Sequence, residues 1–264
     1  MGERMKKFLM LLSILCFGAY ADTINLHWLN DDGSIYENST CTVDSDLELP
    51  TPPTKYGYTF TGWKLMPYIP LEYIQSTGTQ WIDTGYIYIS GNHKVEIGFS
   101  TVSQGNHSPY WVYGSTRGDY LRSGSIALQN NLTRLGIGAG DTALGSSVYT
   151  INNPTNKTIL SIEIKNNNRF FVSGGSTDYN NVEFTGSSIS NLSEYLFATN
   201  YNNTADFTSS YKMYLFKMWD NNILVRDFIP VLDYSGVPCM YDRVEGKFYY
   251  NQGTGQFIAG PILQ

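Results

Sequence analysis

The sequence predicts an all-β protein in two parts, the larger a β-sandwich or jelly roll. Three observations carry that prediction. Charged residues make up only 15% of the chain, against 25 glycines, 21 tyrosines and 13 phenylalanines. Aromatic and glycine enrichment at low charge favours short strands and tight turns over long helices. Alternating apolar segments recur at roughly 8–12-residue spacing between Asn, Gly and Ser turns, the pattern of a sandwich. No helical period is sustained over more than roughly ten residues. A hydrophobic content of 42% supplies a core and argues against global disorder.

The elements follow in order. Residues 1–21 read as a secretory leader. Arg4, Lys6 and Lys7 make a basic start, Phe8 to Phe17 an apolar run, and Ala19-Tyr20-Ala21 a small-x-small site, so cleavage is expected after Ala21. The run is too short to span a bilayer. Cys16 lacks the small residues that a lipoprotein signal places before it. No later run reaches spanning length, so no membrane span is expected after cleavage, and the product is expected to be secreted or at the cell surface. Losing the leader removes three basic residues and one acidic one and takes the formal charge from −6 to −8. An acidic chain with no Lys/Arg run argues against nucleic acid and anionic membranes as partners. Cys41 and Cys239 then remain. They form no disulfide framework, and two buried thiols are a simpler reading than a bond between them.

TINLHWLN (23–30) alternates and ends at DDGS, which predicts a strand and a turn. TVDSDLEL (42–49) alternates more cleanly and predicts a second strand. Val43, Ser45, Leu47 and Leu49 share one face; Asp44, Asp46 and Glu48 share the other. The three carboxylates read as a solvated face that discourages edge pairing, in preference to a cation site. PTPPTKYGYTFTGW (50–63) comes next. Its prolines cannot sit in a paired central strand. Gly57 permits a turn, Tyr58-Thr59-Phe60 starts a last short strand, and Trp63 packs on the sheet. A Thr/Pro-rich lead followed by GYTF and GW resembles the internalin-type B repeat. That family is β-grasp-like and found on exported bacterial proteins. The chain departs from it at Asp32-Gly33, where the family has Gly-Gly. The resemblance implies a small β-grasp-like module over residues 22–66, whose aromatics are core and not a ligand platform. Residues 67–70, PYIP, read as a short rigid linker.

Residues 71–264 form the larger domain. KVEIGFSTV (94–102) sets Val95, Ile97 and Phe99 on one face, and KTILSIEIK (157–165) sets Leu160, Ile162 and Ile164 inside. Asn166-Asn167-Asn168 turns the chain into RFFVSG. YKMYLFKMWD, a turn at Asn221-Asn222 and ILVRDFIPV predict a hairpin. IPLEYIQSTGTQWIDTGYI (69–87), YLFKMWDNNILVRDFIP (214–230) and CMYDRVEGKFYYNQGTGQFIAGP (239–261) resemble a concanavalin A-like, laminin G-like jelly-roll family of secreted bacterial and phage-associated proteins. The resemblance implies the fold far more than an activity. It implies that the first and last of these segments close the sandwich, with Gly78, Gly85, Gly253 and Gly255 at turns.

Several chemistries find no support. The glycine run Gly136–Gly140 lacks the following helix of a dinucleotide site and reads as a turn or strand end. His27, His93 and His107 stand at no ligand spacing, and no paired Cys motif supplies a zinc site. No G-x-S-x-G elbow occurs. Glu96 and Glu163 each stand alone on a strand face, without the paired acids of a sandwich glycosidase. A hydrolase built from acids on separate strands stays open.

Two loops share a Tyr-Asn-Asn core. One, 176–181, offers Asp178, Tyr179 and Asn180; the other, 199–206, offers Tyr201, Asn202 and Asp206. Amides, carboxylates and an aromatic face together suit sugars, and the same oxygens suit Ca²⁺. Trp111, Tyr113 and Tyr120 could add stacking. The opposing reading is that Asn and Tyr are simply abundant turn and strand residues here. The chain is therefore expected to be an exported, non-catalytic binding or adhesion protein recognising carbohydrate through its jelly roll. Its expected partner is a glycan or another surface protein; no cofactor is expected, Ca²⁺ being the one ion the loops would suit. A structural surface module without a small ligand is the alternative, and glycoside hydrolysis a third.

Overall fold

The computed structural model describes residues 6–15, 23–30, 35–42, 47–102, 110–117, 121–129, 134–140, 142–143, 149–150, 156–165, 169–174, 179–183 and 189–263. All regular structure among them is β-strand, as composition and periodicity predict. No helix among the described residues is long and apolar enough to cross a membrane. The chain divides into two compact units. One comprises Met1–Pro70, Leu232–Gly236 and Ile262–Gln264; the other comprises Leu71–Val231 and Val237–Pro261.

The first unit holds a sheet in the order β3 (Ile35–Thr42), β2 (Thr23–Leu29), β1 (Lys6–Leu15), β4 (Tyr58–Leu65). β2 is antiparallel to β3 and β1, whereas β1 runs parallel to β4. The segment expected to be a secretory leader thus pairs inside this sheet. Alternation along TINLHWL puts Leu26 and Trp28 on one face, where both are buried, with Tyr36, Cys41 and Trp63 packed against them. The Trp28 and Trp63 rings meet edge-on at 4.7 Å. Trp28 Nε1–H donates to Ser39 Oγ at 2.9 Å.

The strand expected at 42–49 is corrected. β3 ends at Thr42, residues 43–46 lie outside the described residues, and Leu47 and Leu49 are 43% and 61% exposed. The cause is register. The short connection after Asn30 lets the next residues pair at once, from Ile35 opposite Leu29 to Thr42 opposite Thr23. Among the described residues of TVDSDLEL, Thr42 alone pairs with β2, opposite its first residue Thr23. Residues 67–70 also differ from a bare spacer: Tyr68–Pro70 forms β5, with Tyr68 and Ile69 buried.

The second unit contains two sheets. The larger runs β16 (Tyr179–Glu183), β15 (Arg169–Ser173), β14 (Thr158–Lys165), β8 (His93–Thr101), β20 (Tyr211–Asp220), β21 (Ile223–Asp233), β22 (Pro238–Asp242), β23 (Lys247–Tyr249). β6 (Ile74–Gln75) pairs with β20 and with β24 (Ile258–Ala259). The other runs β12 (Thr142–Ala143), β11 (Arg134–Gly140), β10 (Leu121–Gln129), β9 (Tyr110–Arg117), β17 (Tyr195–Leu196), β7 (Ile82–Asp83). β13 (Tyr149–Thr150) pairs with β11, and β18 (Thr199–Tyr201) joins β9 and β19 (Thr204–Asp206). The glycine run 136–140 is therefore strand.

Val95, Ile97, Phe99, Leu160, Ile162 and Ile164 are buried on the larger sheet's inner face, as periodicity predicts, and Met213, Phe216 and Met218 of β20 are buried with them. Tyr113 of β9 meets Phe216 of β20 at 5.3 Å, so the two sheets pack as a sandwich. The Tyr211 hydroxyl binds across the layers, donating to the Val112 carbonyl and accepting from the Phe197 N–H at 2.7 Å. The β20–β21 hairpin turns at Asn221 and Asn222, with φ of 48° and 66°, the left-handed pair of a type I′ turn. At the closing segments, Gln80 accepts from Thr77 N–H at 2.7 Å and donates to the Thr254 carbonyl at 2.9 Å. A Cβ on Gly253 would lie 1.9 Å from the Thr79 carbonyl oxygen, so only glycine fits there. No disulfide joins Cys41 and Cys239; Cys239 is buried and Cys41 half-buried.

Candidate functional site

Alternation fixes what the larger sheet shows on its outer face. In β8 and β14 the residues between the buried ones are Lys94, Glu96, Ser161, Glu163 and Lys165. The register sets Glu163 beside Lys94 and Lys94 beside Trp219, and in the next row Ser161 beside Glu96 and Glu96 beside Lys217. β20 carries an irregularity between Met213 and Leu215. Its second half therefore buries Phe216 and Met218 while Lys217 and Trp219 alternate outward. A large aromatic thus stands on the solvent side of a strand whose inner side is already full.

Trp219 borders a cleft of roughly 340 Å³, lined also by Asn92, Lys94, Glu163, Lys165 and Asn222. The Lys94 ammonium lies 5.0 Å from the Trp219 ring centroid. Lys165 lies 3.4 Å from Glu163 and 4.5 Å from the Phe171 ring centroid. The cleft combines an indole with two amides, a carboxylate and two ammonium groups. Such a set can stack on the apolar face of a sugar ring while donating to and accepting from its hydroxyls.

The floor at this end is built by His93. Its ring stacks on Tyr88 at 4.0 Å, and burial lowers its pKa to about 4. Asp220 beneath it accepts from the Tyr86 hydroxyl at 3.1 Å, the Ile89 N–H at 2.8 Å and the Ser90 hydroxyl. Burial is the main cause that pushes Tyr86 up to about 12. A second buried polar cluster serves the fold. Arg226 binds Glu245 at 2.6 Å and the Thr84 carbonyl at 3.0 Å, while Asp242 accepts from the Asp227 and Val244 N–H groups.

The residues singled out by sequence divide. Asp178 and Tyr120 lie outside the described residues. Tyr179 and Asn180 begin β16, at the edge of the larger sheet. Tyr201, Asn202 and Asp206 belong to the other sheet, where 199–206 is the β18–β19 hairpin. The two Tyr-Asn-Asn stretches therefore sit on different sheets. Asn202 and Asn203 make that hairpin's turn, with φ of 50° and 68°. Asn203 N–H donates to Asn200 Oδ1 at 2.8 Å, and Asp206 Oδ1 accepts from Phe207 N–H at 2.8 Å. These polar atoms carry turn bonds, while Tyr201 is 36% exposed. Of the expected stackers, Tyr113 is corrected: it is fully buried against Phe216 because β9 turns that side inward. Trp111 is half-buried, 6.3 Å from Phe207. Glu96 lies 3.6 Å from Lys217 and Glu163 3.4 Å from Lys165. Among the described residues no three His, Cys, Asp or Glu side chains gather as a metal site.

Sequence reading missed Trp219. The signal was present, since Trp219 alternates with the apolar Phe216 and Met218, but the irregularity at 213–215 shifts the phase midway along the strand and hides it.

No family model and no curated protein matches the chain. Among solved structures it is similar to the CBM40 of the Ruminococcus gnavus IT-sialidase bound to α2,3-sialyllactose, at 14% identity and a TM-score of 0.40, over 56% of this chain and 89% of that one. It is also similar to the full extracellular region of zebrafish Gpr126/Adgrg6, at 9% identity and a TM-score of 0.43, over 69% of this chain and 26% of that one.

Proposed function

We propose that the chain is an exported, non-catalytic protein that binds glycans on the outer face of its larger sheet. One observation carries the reading: half-buried Trp219, on the outer side of its strand, borders a cleft whose walls include Asn92, Asn222, Lys94, Lys165 and Glu163 beside Ile164 and His93. Burying an indole is favourable, so a tryptophan kept on the polar side of a strand calls for a partner. Ring stacking plus a few convergent polar groups is the chemistry of sugar recognition. The hairpin at 199–206 is a second contact in this reading, on the strength of the exposed Tyr201 ring. Export follows from the leader, with Asp22 as the first residue of the mature chain.

The test is a glycan array with the mature protein, followed by titration of the strongest hit. Trp219→Ala is expected to weaken that hit at least fivefold, from loss of about 1 kcal/mol of aromatic contact, while the melting temperature stays near wild type. Binding unchanged in Trp219→Ala removes this cleft from the reading. An array with no hit leaves the structural-module alternative. Release of reducing ends from a hit, abolished by Glu163→Gln, would make the protein a hydrolase instead.

A further inference from the structure

We infer that the ligand of this face is an acidic glycan, a carboxylated or sulfated saccharide laid across β14, β8 and β20. The inference rests on the glycan-binding reading above and names the ligand class of the same face. The chain as a whole carries a formal charge of −6, yet this face is positive. Lys94, Lys157, Lys165, Lys212 and Lys217 gather on it against Glu96 and Glu163. Among the described residues the neighbouring strands and the β22–β23 turn set Arg169, Arg226, Arg243 and Lys247 against Glu183, Asp227, Asp233, Asp242 and Glu245, one acid in excess and fewer than the lysine surplus here. Arg243 is taken up by Asp227 at 2.8 Å, and the register sets Arg169 opposite Glu183.

The lysines are held in a particular way. Four of them lie over aromatic rings: Lys94 over Trp219 at 5.0 Å, Lys165 over Phe171 at 4.5 Å, Lys157 over Tyr214 at 4.8 Å and Lys212 over Tyr73 at 4.2 Å. A ring orients an ammonium without cancelling its charge, so Lys94, Lys157 and Lys212 are held as cations, while Lys165 and Lys217 also lie beside Glu163 and Glu96. An ammonium offers three donors and no acceptor. It suits carboxylate or sulfate oxygens better than hydroxyls, which must both give and take. The two glutamates among the lysines then decide the kind of polyanion. Acidic saccharides carry hydroxyls between their charged groups, and these can donate to Glu96 and Glu163. A DNA backbone presents a phosphate at every nucleotide and no hydroxyl, so the same glutamates would repel it.

The experiment is calorimetric titration of the mature chain with polygalacturonate, dextran sulfate, uncharged galactan and single-stranded oligothymidylate, at two salt concentrations. Polygalacturonate or dextran sulfate is expected to bind at least tenfold tighter than galactan, and to weaken severalfold between about 50 and 200 mM salt. The double variant Lys94→Gln, Lys165→Gln is expected to lose at least tenfold for the acidic probe, severalfold more than it loses for galactan, and to melt like wild type. Galactan binding as tight as the acidic probes, unchanged in the double variant, overturns the inference and leaves glycan binding standing. Oligothymidylate binding within threefold of polygalacturonate also overturns it, because the face would then read charge alone. Absence of binding to every saccharide overturns the inference and the glycan-binding reading together.

Discussion

His93 faces the core against Tyr88, with the Asp220 carboxylate nearby. Burial disfavours its charged form and lowers its pKa from 6.5 to about 4, although Asp220 pulls the other way. The unfolded chain therefore takes up a proton below about pH 6.5 that the folded chain refuses until about pH 4. Stability should fall as pH drops through that window, by on the order of 2–3 kcal/mol. Melting temperatures from pH 7 to pH 4 will check this, and His93→Phe should flatten the slope. Tyr211 makes a second prediction at this scale. Its hydroxyl serves the Val112 carbonyl and the Phe197 N–H, while that N–H also reaches the same carbonyl at 3.0 Å. Tyr211→Phe should cost about 1–2 kcal/mol in denaturant unfolding, with the sandwich still formed. The alternation that buries Tyr211 was readable in the sequence. Its bond across the layers was not, because β20 and β9 are distant in sequence.

Within the first unit the strand pattern explains which tryptophan matters most. Trp28 is fully buried, whereas Trp63 packs against it from a partly exposed position. Trp28→Ala should cost about 3–5 kcal/mol. Trp63→Ala should cost less, nearer 3, because its ring retains solvent contact. Chemical denaturation followed by tryptophan fluorescence will order the two, and the reverse order would contradict the packing. In the β18–β19 hairpin the turn is the element's weak point. Asn203 holds φ 68° and bonds to Asn200. Asn203→Gly should be nearly neutral, while Asn203→Val should cost about 1–2 kcal/mol because a branched Cβ crowds the left-handed region. The Tyr-Asn-Asn repeat was thus legible as chemistry suited to sugars, but one copy is a turn. Periodicity placed β2, β8, β14 and the β20–β21 hairpin because each has a full apolar face. It misplaced the second strand of the small unit, where the better alternation of TVDSDLEL lost to the nearer partner of β2.

At the scale of the whole molecule, the closing segments decide whether the sandwich holds. Residues 76–80 and 251–255 interlock through Gln80, Asn251 and the side-chain-free Gly253. Gly253→Ala should force the two segments apart and lower the melting temperature of the larger unit by several degrees, a fall at the scale of about 1–3 kcal/mol. A Gly253→Ala protein that melts like wild type would show that the segments can part without cost. Processing is the other prediction at this scale. Strand Lys6–Leu15 lies between β2 and β4, so its removal on export should leave those two strands to re-pair. N-terminal sequencing of the exported product should begin at Asp22, and a chain still carrying Met1 would contradict the export reading.

By itself the sequence determined the all-β class, the inner faces of β8 and β14 and the turn at Asn221-Asn222. These follow from local rules: period-two burial, left-handed Asn pairs and the steric freedom of glycine. Tertiary structure alone decided which polar faces became neighbours. Lys94, Glu163, Lys165 and Trp219 come from three strands, and no stretch of chain reveals that they share a cleft. The same holds for the charge. Five lysines scattered from 94 to 217 look like a sparse minority in an acidic chain. Strand order across the sheet is a non-local choice, and it is this choice that gathers them onto one positive face.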